Sequence, residues 1–386
     1  MAPVVIERRA RARHLTSSTL QLLRSVSLMM IDNRGNGMRY RPLGGTGMEV
    51  SVYCLGAMMF GAIGNADHDD SIRIIHTALD AGVNFIDTAD MYSAGESETI
   101  VGKALKGRRD EVVLATKVHF PMGEGRNRGG NSRRWIMMEV EESLRRLGTD
   151  WIDLYQIHRP DLTTDIEETL SALTDLQRQG KIRAFGSSTF RPEDIVDAHH
   201  VSERRGLGRF RTEQPPYSIL ARWIESSTLP LAQKYGMGVM TWSPLAFGFL
   251  TGRYRKGQPV DLTAGRAGLA PSRFDPALPD NQVKLDAVER LVEVADQAGL
   301  TLPELAMAFP LAHPAVTSVI LGPRTLDQLT GLLKGVSVTL DDATLDRIDE
   351  IVPPGTNLVK EHGPWTPPTL ADAGTRRRPV GDRSAA

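Results

Sequence analysis

Short apolar segments alternate with amphipathic segments along most of the chain, and this alternation restricts its fold more than any other feature. Eight extended segments are predicted, at residues 52–56, 83–87, 112–118, 152–158, 182–188, 210–214, 238–243 and 316–322. The segments between them have helical periodicity, and in one of them Ile72, Ile75 and Leu79 share a helix face. Because strands that alternate with helices form a parallel sheet, eight such units in one α/β chain predict a single (β/α)8 TIM barrel.

The barrel is predicted to occupy residues 38–352, and the chain adds several segments to it. Two strand-like pieces within residues 39–53 predict an N-terminal hairpin. Residues 248–282, rich in Gly, Pro and Arg, form a long loop after the seventh strand, and a loop of this length is usually functional. Residues 353–386 are predicted to be an irregular C-terminal tail. Residues 1–37, which hold six arginines, are interpreted as a disordered extension or as sequence before the true start, although their composition also resembles a transit peptide.

Composition and charge argue against several classes of protein. The formal net charge is -1, which gives no electrostatic reason to expect nucleic acid or an anionic membrane as a partner. No apolar stretch in the sequence has the length needed to span a bilayer. Cys54 is the only cysteine, which excludes an internal disulfide framework and favours a reducing, cytoplasmic location. The sequence predicts no metal site and leaves the oligomeric state open.

Four polar residues lie at or just after the ends of predicted strands: Asp87, Tyr92, Lys117 and His158. The active site of an α/β barrel lies where its strands end, so these side chains are predicted to meet there. A tyrosine hydroxyl can donate a proton to a carbonyl that accepts hydride, and His158 can orient the carbonyl oxygen or share the proton. An unperturbed tyrosine has a pKa of about 10, and the Lys117 ammonium, held by Asp87, is expected to lower that pKa. Taken singly, each residue could be a turn, a salt-bridge partner or a hydrogen-bonded residue of the rim, but together they favour proton delivery to a carbonyl.

Five motifs carry a resemblance to a known family. They are Arg39-Tyr40-Arg41-Pro42-Leu43-Gly44, Phe85-Ile86-Asp87-Thr88-Ala89-Asp90-Met91-Tyr92, Thr116-Lys117, Tyr155-Gln156-Ile157-His158-Arg159-Pro160-Asp161 and Trp242-Ser243-Pro244-Leu245-Ala246. From Met38 to about residue 350 the chain resembles the aldo-keto reductases, and it is most similar to the branch that includes bacterial reductases and potassium-channel β-subunits. The resemblance implies NADPH-dependent reduction of a small aldehyde or ketone, with Tyr92 as the acid and Asp87, Lys117 and His158 as its supporting residues.

The same resemblance implies where NADPH binds. Ser188 and Gln214 match the side chains that hold the nicotinamide carboxamide, and Trp242 matches the ring that stacks on the nicotinamide. Arg324 is the candidate for the 2′-phosphate, because a guanidinium can bind phosphate through two hydrogen bonds. It lies where the last helix begins, a place where anions bind readily. The full set of predicted cofactor-binding residues is Gly56, Ala57, Met58, Asp87, Ser188, Gln214, Trp242, Ser243, Leu245, Gly248, Leu250, Arg253, Gly322, Arg324 and Gln328.

The sequence departs from the family pattern at three places. Ala57 stands where threonine is common, and Thr189 stands where asparagine usually follows the serine. Both changes affect the nicotinamide end only mildly. Gly331-Leu332 replaces the glutamate–asparagine pair that commonly binds adenine. This third departure puts the adenine affinity, and with it the preference for NADPH, in question.

Two other functions stay open at this point. The channel β-subunit resemblance permits a nucleotide-sensing binding module with little turnover. A Schiff-base lyase could use Lys117 as its amine, although such chemistry gives Tyr92, Gln214 and Trp242 no obvious role. The physiological substrate cannot be identified from the sequence. Its predicted determinants are Phe60, Met91, the loop 159–164, the long loop 248–282 and the C-terminal tail.

Overall fold

A three-stranded antiparallel sheet precedes the barrel. The computed structural model describes residues 30–31, 37–263, 265–363, 366, 370 and 372–382. The sheet consists of β1 (Met30–Ile31), β2 (Arg39–Pro42) and β3 (Glu49–Ser51), so the predicted hairpin is confirmed and β1 pairs with its outer edge. Leu43 and Val50 of the hairpin pack against Cys54, Phe85 and Leu154 inside the barrel. The hairpin therefore closes the end of the barrel at which the strands begin.

Eight parallel strands form a closed barrel, as the alternation of segments predicts. The ring order is β10-β11-β4-β5-β6-β7-β8-β9, so neighbouring strands follow one another along the chain all the way round. The strands are β4 (Tyr53–Gly56), β5 (Phe85–Asp87), β6 (Val113–Val118), β7 (Ile152–Ile157), β8 (Ile182–Ser188), β9 (Thr212–Gln214), β10 (Gly238–Thr241) and β11 (Ser318–Leu321).

Helices cover the outside of the barrel, and their apolar faces pack on the strands. Side-chain caps begin several of them: Asp67 accepts from the Asp70 N–H, and Thr301 and Glu304 form a reciprocal capping box. The α-helices are α1 (His68–Asp80), α2 (Glu96–Ala104), α3 (Arg133–Leu147), α4 (Ile166–Arg178), α5 (Pro192–Arg205), α6 (Thr228–Tyr235), α7 (Gly265–Leu269), α8 (Pro279–Gln297), α9 (Leu302–Ala312), α10 (Leu326–Leu333), α11 (Asp342–Ile351) and α12 (Ala373–Arg376). Short 3-10 turns occur at Gly44–Thr46, Tyr92–Gly95, Arg109–Glu111, Trp223–Ser226, Ala246–Thr251, Pro271–Arg273, Lys334–Ser337, Lys360–His362 and Val380–Asp382.

The C-terminal tail crosses the mouth of the barrel, the end at which the strands finish. Leu358 donates to the Leu220 carbonyl, and the buried His362 ring lies 5.0 Å from the Trp242 ring and 4.2 Å from the Phe247 ring. The tail thus contributes one wall beside Trp242. Residues 1–29 and 32–36 lie outside the described residues, and so does the end of the tail at 383–386. The predictions of an N-terminal extension and of an irregular C-terminal end therefore stay predictions there. In the described parts of the chain, no helix combines the length and apolar character needed to cross a membrane.

Candidate active site

Lys117 lies at the centre of the predicted tetrad. Its ammonium donates to Asp87 Oδ2 at 2.6 Å, to the Thr88 carbonyl at 2.9 Å and to the Tyr92 hydroxyl oxygen at 3.1 Å. Asp87 is the last residue of β5, Lys117 is the last but one of the adjacent strand β6, and both side chains are buried. Tyr92 reaches them from the 3-10 turn that follows β5 and keeps part of its surface exposed. Three of the four residues that the sequence singled out are therefore in direct contact.

The pKa values of Tyr92 and Lys117 follow from this packing. Burial raises the pKa of the Tyr92 phenol, and the opposing effect of the Lys117 charge is too small to offset it. The sequence-based expectation of a lowered Tyr92 pKa is therefore wrong in its net direction, because it omitted desolvation. Burial lowers the pKa of Lys117, but Asp87 and Tyr92 outweigh it, so the net shift is upward. The phenol is held protonated and the amine is held charged.

Asp87 also anchors two glutamine side chains across the barrel. Gln156 Nε2 donates to Asp87 Oδ1 at 3.1 Å, and Gln214 Nε2 donates to the same oxygen at 2.9 Å. Gln214 further contacts Gln156 Oε1 at 3.2 Å. Sequence reasoning missed Gln156, although it lies two residues before His158 on the same face of β7, which a period of two could have shown. Both oxygens of the carboxylate are thus used, which holds it in one orientation.

His158 is buried at the end of β7 and presents a neutral ring. Its pKa is held well below the usual value, first by burial and then by the charges of Lys117 and Arg159. The ring lies edge-on to Tyr92 at 5.8 Å and to Phe120 at 5.0 Å. Among the described residues its Nδ1 has no hydrogen-bond partner. Phe120, which follows β6, is a second site residue that sequence reasoning missed, because an aromatic residue in a loop carries no distinctive pattern.

The residues predicted to hold the nicotinamide carboxamide lie on neighbouring strand ends. Ser188 Oγ donates to the Gln214 carbonyl at 3.0 Å, and Trp242 pairs with Pro216 in an isolated parallel bridge. Trp242 is half-buried, so one part of its ring faces outward. Thr189 donates its backbone N–H to the Gln214 carbonyl and adopts φ 57, a conformation that costs a β-branched residue free energy.

Glu213, the middle residue of β9, is hydrogen-bonded to this turn and was missed in the sequence. Its carboxylate accepts from Ser187 Oγ at 2.5 Å and from the Phe190 backbone N–H at 3.2 Å. The side chain is fully buried, and burial raises the pKa of Glu213 to about 7, against the effect of these hydrogen bonds. The carboxylate therefore braces the segment that positions Ser188.

The segment after β10 has an unusual backbone. Ser243, Ala246 and Phe247 have φ values of 57, 47 and 58, and Gly248 follows with φ 102. Non-glycine residues in this region are uncommon and cluster at ligand-binding positions, because only function repays the strain. Of the other residues predicted here, Leu250 and Leu245 are joined by a backbone hydrogen bond, and Arg253 is exposed. Its role as a pyrophosphate-binding loop stays a prediction.

The remaining predicted cofactor residues lie at the ends of β4 and β11. Ala57 donates to the Asp87 carbonyl, while Gly56 packs against β11 and Met58 is exposed. Arg324 is exposed, and its backbone N–H is capped by Gln328 Oε1 at 2.8 Å. A side chain added at Gly322 or Gly331 would meet no atom within 4 Å, so both positions border open space. The described residues contain no cluster of three or more His, Cys, Asp or Glu side chains that could hold a metal ion.

Comparison with known proteins agrees with this geometry. Residues 53–353 match the model of the Aldo/keto reductase family. The uncharacterized oxidoreductase YrpG of Bacillus subtilis is 39% identical over 328 residues, which cover 82% of this chain and 96% of that protein. A putative voltage-gated potassium channel subunit beta of Schizosaccharomyces pombe is 36% identical over 322 residues, or 81% of this chain and 93% of that protein. A probable potassium channel subunit beta of Arabidopsis thaliana is 36% identical over 332 residues, 82% and 97% of the two chains. With the closed eightfold barrel and the Lys117-centred site, these matches show that the chain belongs to the aldo/keto reductase family.

Proposed function

We propose that the protein reduces the carbonyl group of a small aldehyde or ketone to an alcohol, with NADPH as the reductant and Tyr92 as the proton donor. The observation that carries this proposal is the direction of the hydrogen bond between Lys117 and Tyr92. The ammonium donates to the phenol oxygen, which leaves the Tyr92 O–H free to point at a substrate. The site therefore offers a proton where a carbonyl oxygen would gain negative charge.

The surrounding groups suit each stage of that proton transfer. Burial keeps the Tyr92 phenol protonated before reaction, and the adjacent Lys117 charge stabilises the phenolate once the proton has left. Asp87, held by Gln156 and Gln214, keeps Lys117 charged and in place. Neutral His158 can donate one ring N–H to the carbonyl oxygen and so orient it.

The residues around the mouth fit a nicotinamide dinucleotide. Ser188 and Gln214 would hold the carboxamide, Trp242 would stack on the ring, and the segment Ser243 to Arg253 would follow the pyrophosphate. Arg324, exposed beside the open space at Gly322, would meet the 2′-phosphate. When bound, the nicotinamide supplies the hydride for which Tyr92 supplies the matching proton. The aldo/keto reductase family acts on carbonyl compounds with such cofactors, which further supports the proposal.

Replacing Tyr92 by Phe tests the proton donor directly. Turnover should fall by about 10²-fold or more, because general acid catalysis contributes roughly that factor, while the NADPH dissociation constant stays nearly constant. NADPH oxidation with a panel of aldehydes measures the first quantity, and quenching of protein fluorescence measures the second. Tyr235→Phe, which removes a hydroxyl at the end of α6 before β10 begins, is the matched control. Retention of full turnover by Tyr92→Phe would contradict the assignment.

Replacing Arg324 by Ala tests the choice of cofactor. The NADPH dissociation constant should rise by about tenfold or more, since charge-assisted hydrogen bonds to phosphate are strong. The NADH dissociation constant should change far less, because that dinucleotide has no 2′-phosphate. Equal weakening of both would place the 2′-phosphate elsewhere.

A nucleotide-sensing module is the second candidate, because relatives at 36% identity are named as potassium channel β-subunits. Steady-state turnover separates the two functions: a sensor would bind NADPH and oxidise it little with any carbonyl, and a pulldown would recover its partner. A Schiff-base lyase fits the site poorly. The pKa of Lys117 is raised and its ammonium is buried in an ion pair, so the free amine that such chemistry needs is disfavoured.

A further inference from the structure

Arg159 brings a positive charge to the mouth of the barrel that the carbonyl chemistry above does not use. It follows His158 at the end of β7 and is half-buried. Its guanidinium donates to the His158 carbonyl at 2.6 Å and lies over the Phe120 ring, 6.0 Å from the ring centre. Phe120 in turn packs edge-on against His158. The guanidinium is thus held beside the groups that would surround the substrate carbonyl.

No carboxylate of the described residues forms an ion pair with Arg159. The acid nearest in sequence, Asp161, is occupied by other donors: the hydroxyl groups of Thr163 and Thr164 and the backbone N–H of Asn131. Glu213, the middle residue of β9, accepts from Ser187 and Phe190, and its carboxylate favours the Arg159 charge without forming an ion pair with it. The protein therefore places the Arg159 guanidinium in a partly desolvated position without a carboxylate in ion-pair contact among the described residues.

Burying part of the Arg159 guanidinium without an ion pair costs free energy. An apolar side chain could fill the same space without that cost. Burial lowers the pKa of Arg159, and the opposing effects of Tyr92 and Glu213 are too small to offset it. Buried charges in proteins are normally paired, and an unpaired one beside reactive groups indicates a ligand of opposite charge. A guanidinium matches the geometry of carboxylate and phosphate groups through two parallel hydrogen bonds.

The order of the strands indicates that this anion belongs to the substrate and not to the cofactor. The segments proposed to bind the cofactor phosphates follow β10 and β11. In the closed ring, β7 lies diametrically opposite β11, so Arg159 and Arg324 are on opposite sides of the mouth. Tyr92 and His158 lie on the side of Arg159, and the charge of Arg159 acts on both of them.

We propose that Arg159 binds an anionic group of the substrate, so that the preferred substrates are short aldehydes or ketones carrying a carboxylate or phosphate near the carbonyl. This inference rests on the proposed reductase function, and it deepens it by naming a substrate class. Arg159 recognises the anion, while Tyr92 and His158 contact the carbonyl oxygen. Both anions offer the oxygen pairs that a guanidinium binds.

Matched pairs of substrates test the proposal. The carboxylate arm compares 4-oxobutanoate with its methyl ester, and the phosphate arm compares glycolaldehyde phosphate with glycolaldehyde. Wild-type protein should show kcat/KM about tenfold higher or more for the charged member of at least one pair, and the arm that shows it identifies the anion. Arg159→Met, which keeps the alkyl stem, should lower kcat/KM for that charged substrate by about 10- to 100-fold, mainly through KM.

Further variants separate recognition from structure. Arg159→Lys keeps the charge without the planar fork and should lie between wild type and Arg159→Met. Arg134→Met, on the exposed first turn of α3, is the control and should change neither substrate. Equal losses for charged and neutral substrates in Arg159→Met would show a structural role and overturn the proposal, as would a wild-type protein without preference in either arm.

Measuring anion binding apart from turnover tests the role of Arg159 independently of the reductase function. Calorimetric titration of the NADP⁺-loaded protein with 4-oxobutanoate and with glycolaldehyde phosphate reports anion binding without turnover, because the oxidised cofactor has no hydride to give to either aldehyde. Turnover of the neutral aldehydes without preferential anion binding would refute the role of Arg159 and leave the reductase function standing. Anion binding that Arg159→Met abolishes, in a protein that reduces none of the four compounds, would support Arg159 and count against the reductase function.

Discussion

The buried ion pair of Lys117 and Asp87 predicts that removing one charge lowers the free energy of unfolding far more than removing both. Their side chains are 0% and 3% exposed, and the ammonium lies 2.6 Å from the carboxylate. Lys117→Met would leave a buried carboxylate with only the two glutamine amides as donors. Asp87→Asn would turn an amide NH2 toward the Lys117 ammonium if the Asn oxygen keeps its bonds to Gln156 and Gln214. Each single change should therefore lower the free energy of unfolding by about 3–5 kcal/mol.

The double variant Asp87→Asn/Lys117→Met should be much more stable than the sum of the single effects. It removes both charges, so no uncompensated ion is left in the interior, and it should lie within about 2 kcal/mol of the wild type. The interaction free energy from the double-mutant cycle should then be at least about 4 kcal/mol. Turnover should not return, because the double variant has no ammonium beside Tyr92.

Urea unfolding of the four proteins at neutral pH, followed by circular dichroism, measures these free energies. The exposed pair of Lys360 and Asp280 is the control, since it has the same 2.6 Å distance with side chains that are 76% and 60% exposed. Lys360→Met and Asp280→Asn should leave stability almost unchanged, because solvent screens such pairs. Additive effects of Asp87→Asn and Lys117→Met would refute the reasoning, since they would mean that the two buried charges do not stabilise one another.

Two further predictions concern the turn beside Ser188. Thr189→Asn should raise the free energy of unfolding by about 1 kcal/mol, because asparagine adopts the φ of 57 more readily than a β-branched residue, whereas Thr189→Val should give no gain in the same urea assay. Glu213→Gln should change the pH dependence of stability. The folded protein binds a proton at Glu213 up to a pKa of about 7, above the usual carboxyl value, so wild-type stability is present at low pH and is lost as the pH rises. Between about pH 5 and pH 8, Glu213→Gln should therefore gain roughly 2–3 kcal/mol relative to wild type, and parallel pH profiles would contradict this.

The barrel and most of the catalytic tetrad could be predicted from the sequence because the relevant signals are local. Strands and helices appear in the sequence as apolar periods, and each predicted strand lies within about two residues of its observed position. Asp87 ends its strand in the structure as the sequence predicts, and Lys117 lies one residue before the end of β6. The β-α alternation then places all strand ends at one mouth, so the meeting of Asp87, Tyr92 and Lys117 needed no knowledge of distances.

Other features depend on contacts between distant parts of the chain. Gln156 and Gln214 meet Asp87 across 69 and 127 positions, and no local pattern records which side chains share a barrel interior. The pKa of Tyr92 was predicted in the wrong direction, because the nearby charge was visible in the sequence and the desolvation was not. Glu213 was overlooked because its burial and its hydrogen bonds to Ser187 and Phe190 depend on packing that no local pattern in the sequence records.

The sequence by itself thus determined the fold, the order of the strands and the chemical types of residue at the mouth. Tertiary structure alone decided how strongly each group is desolvated and which partners it has. Arg159 illustrates the difference: in the sequence it is one residue of a motif, with Asp161 two positions later. In the folded protein Asp161 accepts from Thr163, Thr164 and Asn131, and the Arg159 guanidinium contacts the His158 carbonyl and the Phe120 ring without an ion pair to a carboxylate of the described residues. Burial and pairing depend on the packing of whole elements, so they cannot be derived from local pattern.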